Sequence, residues 1–495
     1  MLIGGSSNIF KMNKKELGQF FTPQNIVELM LDHIGYYGEN ILFKKICDNS
    51  AGDGAFLTEV VKRIIKEAKN KNISNIENIL NKNVFGVELE EKTYQKLISR
   101  LNQIVVNEGL DKNKVNWDNI KNDNALKINI KVDLIIGNPP YVRKRNLTDQ
   151  KEIQKHSFSN QSNGDLYLSF FEKSLESLTE KGEMIYLTPS SWFSSKSAEK
   201  MREYFHKNNL IEGIIDFEHQ QIFNATTYVA ITHLKKGKNN EKTNCYEYKE
   251  KQFKKLDNYY FKNIFGKYYL IDASDIEFLT DILSTNISGK LVKNGFATLA
   301  DNIFFQKHFN FKSNYIIDAI KSSTGDSYKA IFPYKIKNNT NVERIEDNEL
   351  VGELRRYLEQ NKNSLLKRSL QQKTKWYEYG RSQAINDVYK NKISLNTLTK
   401  NGDLKIIEAN NLGVFSGLYI LCESENTKKQ IIKNLKSNSF FRYIKLLRKY
   451  KSGGYYSFSS QDVEKFLIWS SELPRLKRRS FGNSKSYNPT LFQGV

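Results

Sequence analysis

The sequence contains little cysteine and no long apolar run. Its three cysteines, Cys47, Cys245 and Cys422, lie far apart and form no C-x-x-C pair, so neither a disulfide framework nor a zinc module is indicated, and no metal is expected. No stretch approaches the roughly eighteen apolar residues that a membrane span needs, and residues 1–5 are too short and uncharged for a signal peptide. These absences predict a protein of the reducing cytoplasm that does not bind membranes.

Acidic residues are also scarce. The chain has 55 Asp and Glu residues against 76 Lys and Arg residues, which leaves a formal net charge of +21 at pH 7. Such an excess favours a polyanionic partner, above all nucleic acid. The alternative is a solvated surface rich in Lys and Asn, as at residues 69–72 and 236–239, and composition leaves both open.

Length and texture indicate two domains. The chain of 495 residues exceeds what one hydrophobic core usually serves, and 39% hydrophobic with 12% aromatic residues indicate a globular protein. From about residue 15 to 235, short apolar runs alternate with amphipathic stretches, and aromatic-rich, less regular sequence follows. We therefore expect an α/β domain with a mostly parallel, doubly wound sheet at residues 1–240 and an α+β domain at residues 241–495.

Apolar periodicity predicts the elements of the first domain. Thr22 and Pro23 supply an N-cap hydroxyl and a first-turn proline for the first helix. The expected strands are residues 43–48, 84–88, 132–137, 183–188 and 211–217, and the expected helices are residues 24–34, 55–69 and 167–178.

A glycine-containing turn follows the first expected strand. Residues 48–56 (DNSAGDGAF) open a helix, and their glycines let the backbone approach a nucleotide-like cofactor at the carboxyl edge of the sheet. Glu88, at the end of the next strand, could accept hydrogen bonds from both ribose hydroxyls, although its distance from Asp48 requires residues 70–82 to be an insertion. Asp123 could accept from the cofactor's adenine amino group. The structural alternatives are a simple tight turn, a helix cap at Asp48 and an ordinary loop residue at Asp123.

The strongest functional indication lies in residues 133–141 (DLIIGNPPY). A short buried strand ends in two prolines, Pro139 and Pro140, which make a rigid loop at the carboxyl edge. The Asn138 side-chain carbonyl and the Pro139 backbone carbonyl can both accept from one NH2 group and direct its lone pair toward an electrophile. Tyr141 offers a face on which a flat base can stack. The alternative is a strand-ending turn with a core tyrosine.

The order of these motifs resembles that of the gamma-type adenine-N6 DNA methyltransferases. The resemblance also includes residues 18–23 (GQFFTP) and covers about the first half of the chain. It implies a Rossmann-like, S-adenosylmethionine-dependent methyltransferase core, as in type II restriction-modification methylases with a C-terminal specificity domain. The cofactor residues that it implies are Thr22, Asp48, Gly52, Glu88 and Asp123, and those that hold the target adenine are Asn138, Pro139, Pro140 and Tyr141.

Later segments extend the resemblance. Residues 164–171 and 182–189 are similar to the family's middle motifs, and residues 222–228 are similar to its last motif. The resemblance implies that Phe223 packs against the flipped base opposite Tyr141. A simple core role for Phe223 is the alternative, because lone aromatic residues are usually core.

The second half carries runs in which basic and aromatic residues alternate. They are residues 376–381 (WYEYGR), 441–445 (FRYIK) and 475–479 (RLKRR), of which the first is similar to a stretch in C-terminal specificity domains. Such runs suit phosphate contact and groove insertion, so we expect DNA contacts from Trp376, Arg381, Lys477 and Arg478. Solvated helical faces are the alternative for each run.

Together these features predict a site-specific methyltransferase that flips adenine out of double-stranded DNA in a restriction-modification system. A cognate restriction endonuclease acting separately is compatible with this function. One rival is methylation of a protein glutamine amide or an RNA amine, which also present planar NH2 groups. The other is a non-catalytic DNA-binding subunit that uses the methyltransferase fold as a scaffold.

Overall fold

The computed structural model describes residues 21–147, 150–159, 164–223, 227–289, 291–337 and 341–480, excluding the side chains of residues 341 and 472–480. The chain divides into two compact units, residues 1–276 and 277–495. Among the described residues, no helix combines the length and the apolarity that crossing a bilayer requires.

The first unit is built on a nine-stranded sheet. Its strand order is β3-β2-β1-β4-β5-β7-β6-β8-β9, and β10 and β11 form a separate hairpin. The strands are β1 (Ile46–Asp48), β2 (Val84–Glu88), β3 (Ile120–Asn122), β4 (Val132–Gly137), β5 (Leu178–Pro189), β6 (Ile211–Asp216), β7 (Val229–Lys235), β8 (Asn244–Lys249), β9 (Gln252–Lys255), β10 (Tyr259–Ile264) and β11 (Lys267–Asp272). The helices are α1 (Gln24–His33), α2 (Ala55–Asn70), α3 (Ile76–Asn83), α4 (Glu91–Asn107), α5 (Lys151–Gln154), α6 (Leu166–Ser177) and α7 (Glu199–Lys207).

The sheet is mostly parallel, as expected. Strand β7 runs antiparallel to both β5 and β6, and β9 runs antiparallel to β8. Helices cover both faces of the sheet. Leu134 and Ile136 of β4 belong to the hydrophobic core on one face, and Ile135 belongs to the core on the other. Burial on both faces explains why this strand is apolar at consecutive positions.

Two local expectations needed adjustment. The first strand begins only at Ile46, because residues Glu39–Phe43 form a 3-10 turn before it. The expected insertion before the second strand contains helix α3, which packs Leu80 into the core between α2 and β2.

The boundary between the units lies later than residue 240. Strand β8 pairs in parallel with β6, with Gly213 opposite Asn244 and Asp216 opposite Glu247, so residues beyond 240 extend the first sheet. The pairing of β8 with β6, which is distant in the chain, cannot be recognised from local composition. The first unit therefore ends at Ile276.

The second unit mixes helices with several small sheets, as the expected α+β class implies. Its helices are α8 (Ile276–Ser284), α9 (Asp301–Phe304), α10 (Gly352–Gln360), α11 (Lys362–Leu366), α12 (Glu425–Leu435), α13 (Asn438–Leu446) and α14 (Ser460–Ser480). Its strands are β12 (Val292–Asn294), β13 (Phe305–Gln306), β14 (Ile316–Lys321), β15 (Asp326–Ile331), β16 (Tyr334–Lys337), β17 (Asn341–Arg344), β18 (Lys392–Leu395), β19 (Leu398–Thr399), β20 (Ile406–Glu408), β21 (Gly413–Phe415), β22 (Leu418–Leu421), β23 (Tyr450–Lys451) and β24 (Tyr455–Ser457).

Candidate active site

A cavity of about 540 Å³ opens at the carboxyl edge of the first sheet. The parallel strands β1, β2, β3 and β4 all end at this edge, which is where open α/β sheets bind ligands. Among the residues predicted from the sequence, those that line the cavity are Gly52, Glu88, Asp123, Asn138 and Pro140. Residues up to 88 positions apart in the chain therefore converge on one space, as the motif order predicted.

The glycine turn after β1 has the backbone conformation that glycine permits. Gly52 has φ +55° and Gly54 has φ +93°, both in the left-handed region. At Gly54 an added Cβ would lie 2.5 Å from a methyl carbon of Leu97, so glycine also allows α2 to pack against α4. The turn is attached to β2, because the Ala51 N–H donates to the Val87 carbonyl at 2.9 Å.

Glu88 is a buried carboxylate whose two oxygens face backbone donors. One oxygen accepts from the Gly52 N–H and the other from the Glu90 N–H, each at 2.9 Å. Burial raises the pKa of Glu88 above its usual value, and these two N–H donors oppose the shift. Each carboxylate oxygen has a further lone pair with which it can accept from a ligand in the cavity.

Asp48 lies behind the cavity rather than in its wall. Its side chain is 1% exposed and accepts from the Ser50 N–H at 3.0 Å. Burial, reinforced by the negative charge of Glu88, raises the pKa of Asp48 to about 7. Among the described residues, Ser50 and not Asp48 lines the cavity, so a direct cofactor contact by Asp48 stays a prediction.

Asp123 is exposed and lines the cavity at the end of β3. Its N–H donates to the Glu88 carbonyl at 3.2 Å. The neighbouring Asn122, which the sequence did not single out, donates from Nδ2 to the same carbonyl at 2.9 Å and to the Leu89 carbonyl at 3.2 Å. Asn122 thereby joins the ends of β2 and β3, and the adenine contact expected of Asp123 stays a prediction.

The Asn-Pro-Pro-Tyr loop follows β4 directly. Asn138 and Pro140 line the cavity, whereas Pro139 is buried. The Tyr141 hydroxyl lies 2.5 Å from Asn138 Oδ1 and 2.9 Å from the Leu187 carbonyl oxygen, two acceptors that share its single proton. Burial raises the pKa of Tyr141 well above its usual value, so this hydroxyl is a neutral donor.

Thr22 contacts this loop. Asn138 Nδ2 donates to Thr22 Oγ1 at 3.2 Å, and Thr22 is 8% exposed. Of the segment before α1 that the structure describes, Phe21 lines the cavity and Thr22 does not. The cofactor contact that the resemblance implies for Thr22 stays a prediction, and residues 18–20 lie outside the described part of the chain.

Phe223 is buried, at 8% exposure, in the core that also receives Tyr141. The centroids of the two rings are 6.4 Å apart, with 63° between their planes. A base held between them would need the rings to turn toward parallel, so contact of Phe223 with a flipped base stays a prediction. Residues 224–226 of the same motif lie outside the described residues.

The middle motif forms an apolar wall of the cavity. Leu166 and Phe170 of α6 line it, and the Leu166 N–H donates to the Val142 carbonyl at 2.8 Å. The Lys144 N–H likewise donates to the Gly164 carbonyl at 2.9 Å. The motif is therefore attached to the chain that leaves the Asn-Pro-Pro-Tyr loop.

A buried polar network that the sequence did not reveal supports the cavity floor. Asn49 lines the cavity, its Nδ2 donates to Ser174 Oγ at 2.9 Å, and its Oδ1 accepts from the Tyr186 hydroxyl at 2.5 Å. The Ser174 and Tyr186 hydroxyls are themselves 2.7 Å apart. These residues come from the turn after β1, from α6 and from β5, so no local pattern could have grouped them.

In the second unit, the stretch at 376–381 is largely core. Tyr377 and Tyr379 are each 1% exposed, and their hydroxyls donate to the carbonyls of Ile345 at 3.0 Å and Ile331 at 2.8 Å. Trp376 is partly exposed, with the Lys362 ammonium 4.9 Å from its ring centroid.

The remaining basic candidates differ in what surrounds them. Arg381 is partly exposed and donates to the carbonyls of Ser369 at 2.6 Å and Gly380 at 2.9 Å. In α13, Arg442 and Lys445 are exposed. The side chains of Lys477 and Arg478 lie outside the description. The DNA contacts expected of Trp376, Arg381, Lys477 and Arg478 stay predictions.

The strand order of the first sheet, its antiparallel β7 and the cavity at the carboxyl edge define a Rossmann-like methyltransferase fold. Residues 29–223, which lie within the first unit, match the family model of the Eco57I restriction-modification methylase. The resemblance noted from the sequence is therefore confirmed.

Curated relatives match part of the chain. The type II methyltransferase M.BstVI of Geobacillus stearothermophilus is 30% identical over 242 residues, 46% of this chain and 43% of that protein. The type II restriction enzyme and methyltransferase RM.Eco57I of Escherichia coli is 26% identical over 333 residues, 54% of this chain and 33% of that protein. The matches thus span less than half the length of these relatives.

Two solved structures of protein–DNA complexes share the fold. The type IIL enzyme MmeI in complex with DNA is similar over 94% of this chain and 70% of that chain, with a TM-score of 0.58 and 14% identity. The DrdV–DNA complex is similar over 96% of this chain and 59% of that chain, with a TM-score of 0.55 and 12% identity.

Proposed function

We propose that this chain transfers a methyl group from S-adenosylmethionine to N6 of a flipped-out adenine in double-stranded DNA, as the modification enzyme of a restriction-modification system. The observation that carries the proposal is that Asn138 and Pro140 line the same cavity as Gly52 and Glu88. A loop suited to an NH2 group and a turn suited to a nucleoside thus share one space. The names of the curated relatives, type II methyltransferases, support the same reaction class.

The residues around the cavity fit the proposed cofactor. The Glu88 carboxylate can accept hydrogen bonds from a ribose. Gly52, which lines the cavity, has no side chain, so a ligand can approach its backbone closely. The apolar wall of Leu166 and Phe170 suits a flat ring. When bound, this cofactor supplies an electrophilic methyl group on a sulfonium centre.

The loop residues can orient an amino nitrogen toward that methyl group. A carbonyl oxygen accepts two hydrogen bonds, so the Tyr141 contact does not by itself prevent Asn138 Oδ1 from accepting an amino N–H. The Pro139 carbonyl is the second acceptor of the proposed pair. Two such acceptors would pull electron density onto the nitrogen as its lone pair forms the N–C bond. The methyl–sulfur bond would break with its electron pair left on sulfur, and the proton of the methylated nitrogen, now acidic, would pass to water. No strong base is required.

DNA is the proposed substrate because an adenine inside a duplex must leave the stack to reach such a cavity, and contacts elsewhere must compensate for the lost stacking. The net charge of +21 supplies affinity for phosphates. The second unit is the proposed target-recognition domain, with base readout by a few of its side chains. A separate cognate endonuclease is the proposed biological partner.

The proposal is tested by incubating the purified chain with S-adenosylmethionine carrying a labelled methyl group and, in parallel, with duplex DNA, structured RNA and protein. We expect label in DNA alone, and N6-methyladenine as the product after digestion and mass spectrometry. Label in the RNA or protein arm would favour the rival NH2 substrates. Cofactor binding without transfer, or no cofactor binding at all, would favour the scaffold role.

A further inference from the structure

The Asn138 amide is held at both ends. Its Nδ2 donates to Thr22 Oγ1 at 3.2 Å, and its Oδ1 accepts from the Tyr141 hydroxyl at 2.5 Å. Thr22 is 116 residues away in the chain and Tyr141 is 3 residues away, so two independent segments grip one side chain. The amide group is planar, so rotation about the Cβ–Cγ bond of Asn138 would break both hydrogen bonds. The two hydrogen bonds together therefore fix the plane of the amide.

Thr22 is well placed to act as one of these grips. It immediately precedes Pro23, whose carbonyl accepts the N–H groups of Ile26 at 2.9 Å and Val27 at 3.1 Å in the first turn of α1. Ile26 and Val27 are buried in the hydrophobic core. The Thr22 hydroxyl is thus presented by an anchored helix start, which is what a group that orients another side chain requires.

Resting on the function proposed above, we infer that Thr22 is a positioning residue for methyl transfer, whose hydroxyl fixes the plane of the Asn138 amide beside the cavity. This role differs from the cofactor contact that the resemblance implies. Thr22 is buried against the loop, and it is Phe21, one residue earlier, that lines the cavity. The inferred role belongs to the Thr22 hydroxyl. Serine at this position would retain the hydroxyl, and valine, which has the shape of threonine, would remove it.

The test compares Thr22→Val with Thr22→Ser in the full chain. Three quantities are measured: the single-turnover rate of methyl transfer at saturating cofactor and DNA, the calorimetric Kd for S-adenosylmethionine without DNA, and the thermal midpoint. Loss of one orienting hydrogen bond is expected to slow transfer by Thr22→Val about tenfold. The cofactor Kd should stay within about twofold, and Thr22→Ser should transfer at nearly the wild-type rate.

A second variant makes the test specific. Combining Thr22→Val with Tyr141→Phe should slow transfer by less than the product of the two single effects, because both residues hold the same amide. If Thr22→Val does not fold, Thr22→Ala takes its place with the same expectation.

Several outcomes overturn the inference. They are a weakened cofactor Kd with an unchanged single-turnover rate, wild-type transfer by Thr22→Val, and equal slowing by serine and valine. If the wild-type chain itself transfers nothing to DNA, the proposed function fails and the inference falls with it. If the wild-type chain methylates DNA and Thr22→Val does so at the same rate, the inference about Thr22 is refuted and the proposed function stands.

Discussion

Gly137 lies directly against the buried carboxylate of Asp48. An added Cβ at position 137 would be 2.9 Å from Asp48 Oδ1, closer than real Cβ atoms come to other atoms, and 3.3 Å from Ser50 Oγ, which is a tight contact. Gly137 is the last residue of β4 and Asp48 the last residue of β1, and the two strand ends can come this close because glycine has no side chain. Asn138 is the next residue after this contact.

We expect Gly137→Ala to lower the free energy of unfolding by about 1–3 kcal/mol, because Asp48 is held by Ser50 and cannot withdraw freely. Urea unfolding measures the change. Gly213→Ala, in β6, is the matched control, since an added Cβ at position 213 would come no closer than 3.4 Å to any other atom. Equal stability of the two variants would contradict the close approach.

Asn138→Ala should slow methyl transfer by at least about a hundredfold, because it removes an oriented acceptor at the reacting nitrogen. Cofactor affinity should be largely retained, since the proposed cofactor contacts lie on other strands. Single-turnover labelling and calorimetry separate the two effects. Asn146→Ala, at an exposed position further along the same loop, is the control and should transfer normally. Substantial activity in Asn138→Ala would refute the proposed mechanism.

Glu88→Gln should weaken S-adenosylmethionine binding about 10- to 100-fold, because hydrogen bonds to a charged group are worth roughly 1.5–3 kcal/mol. The glutamine also presents an NH2 group to one of the two N–H donors, from Gly52 and Glu90, that now face carboxylate oxygens. Isothermal titration measures the affinity. Glu91→Gln, on the exposed first turn of α4, is the control, and an unchanged Kd in Glu88→Gln would remove Glu88 from the site.

Acid should destabilise the first unit through His33. Burial, reinforced by His233, lowers the pKa of His33 to about 4, against an ordinary value of 6.5. Because the folded pKa is depressed, the stability that this neutral histidine contributes is present above pH 6.5 and is lost as pH falls toward 4. At about 1.4 kcal/mol per pKa unit, the loss approaches about 3 kcal/mol.

Urea unfolding at several pH values between 7 and 4 checks this dependence. The His33→Leu variant should show a flatter profile than the wild type, and His206→Leu, at an exposed position of α7, should not. A wild-type slope that persists in His33→Leu would assign the acid sensitivity to other groups.

In the second unit, Tyr379→Phe should cost about 1–3 kcal/mol of stability, because it leaves the buried Ile331 carbonyl without its donor. DNA affinity should be unchanged. Trp376→Ala should do the reverse and weaken binding of duplex DNA, as a partly exposed aromatic contact would. Fluorescence anisotropy at two salt concentrations and urea unfolding measure both properties. Weaker DNA binding by Tyr379→Phe would contradict a purely structural role for Tyr379. Unchanged DNA affinity in Trp376→Ala would contradict a DNA contact by Trp376.

Much of the first unit could be predicted because its signals are local. The strands at residues 84–88 and 132–137 have the bounds that their apolar runs indicated, and the three helices that were predicted begin and end within a residue of expectation. The convergence of the glycine turn, Glu88, Asp123 and the Asn-Pro-Pro-Tyr loop followed from the rule that parallel strands end at one edge.

The sequence by itself thus determined the sheet's class, the order of its motifs and the residue types at its carboxyl edge, since apolar periodicity and turn chemistry act over a few neighbouring residues. Only the tertiary structure decided that Asp48 lies behind the cavity, that Thr22 holds Asn138, and that Tyr377 and Tyr379 are core. The reason is physical: burial and hydrogen-bond partners depend on which distant segments pack together, and no local pattern records that choice.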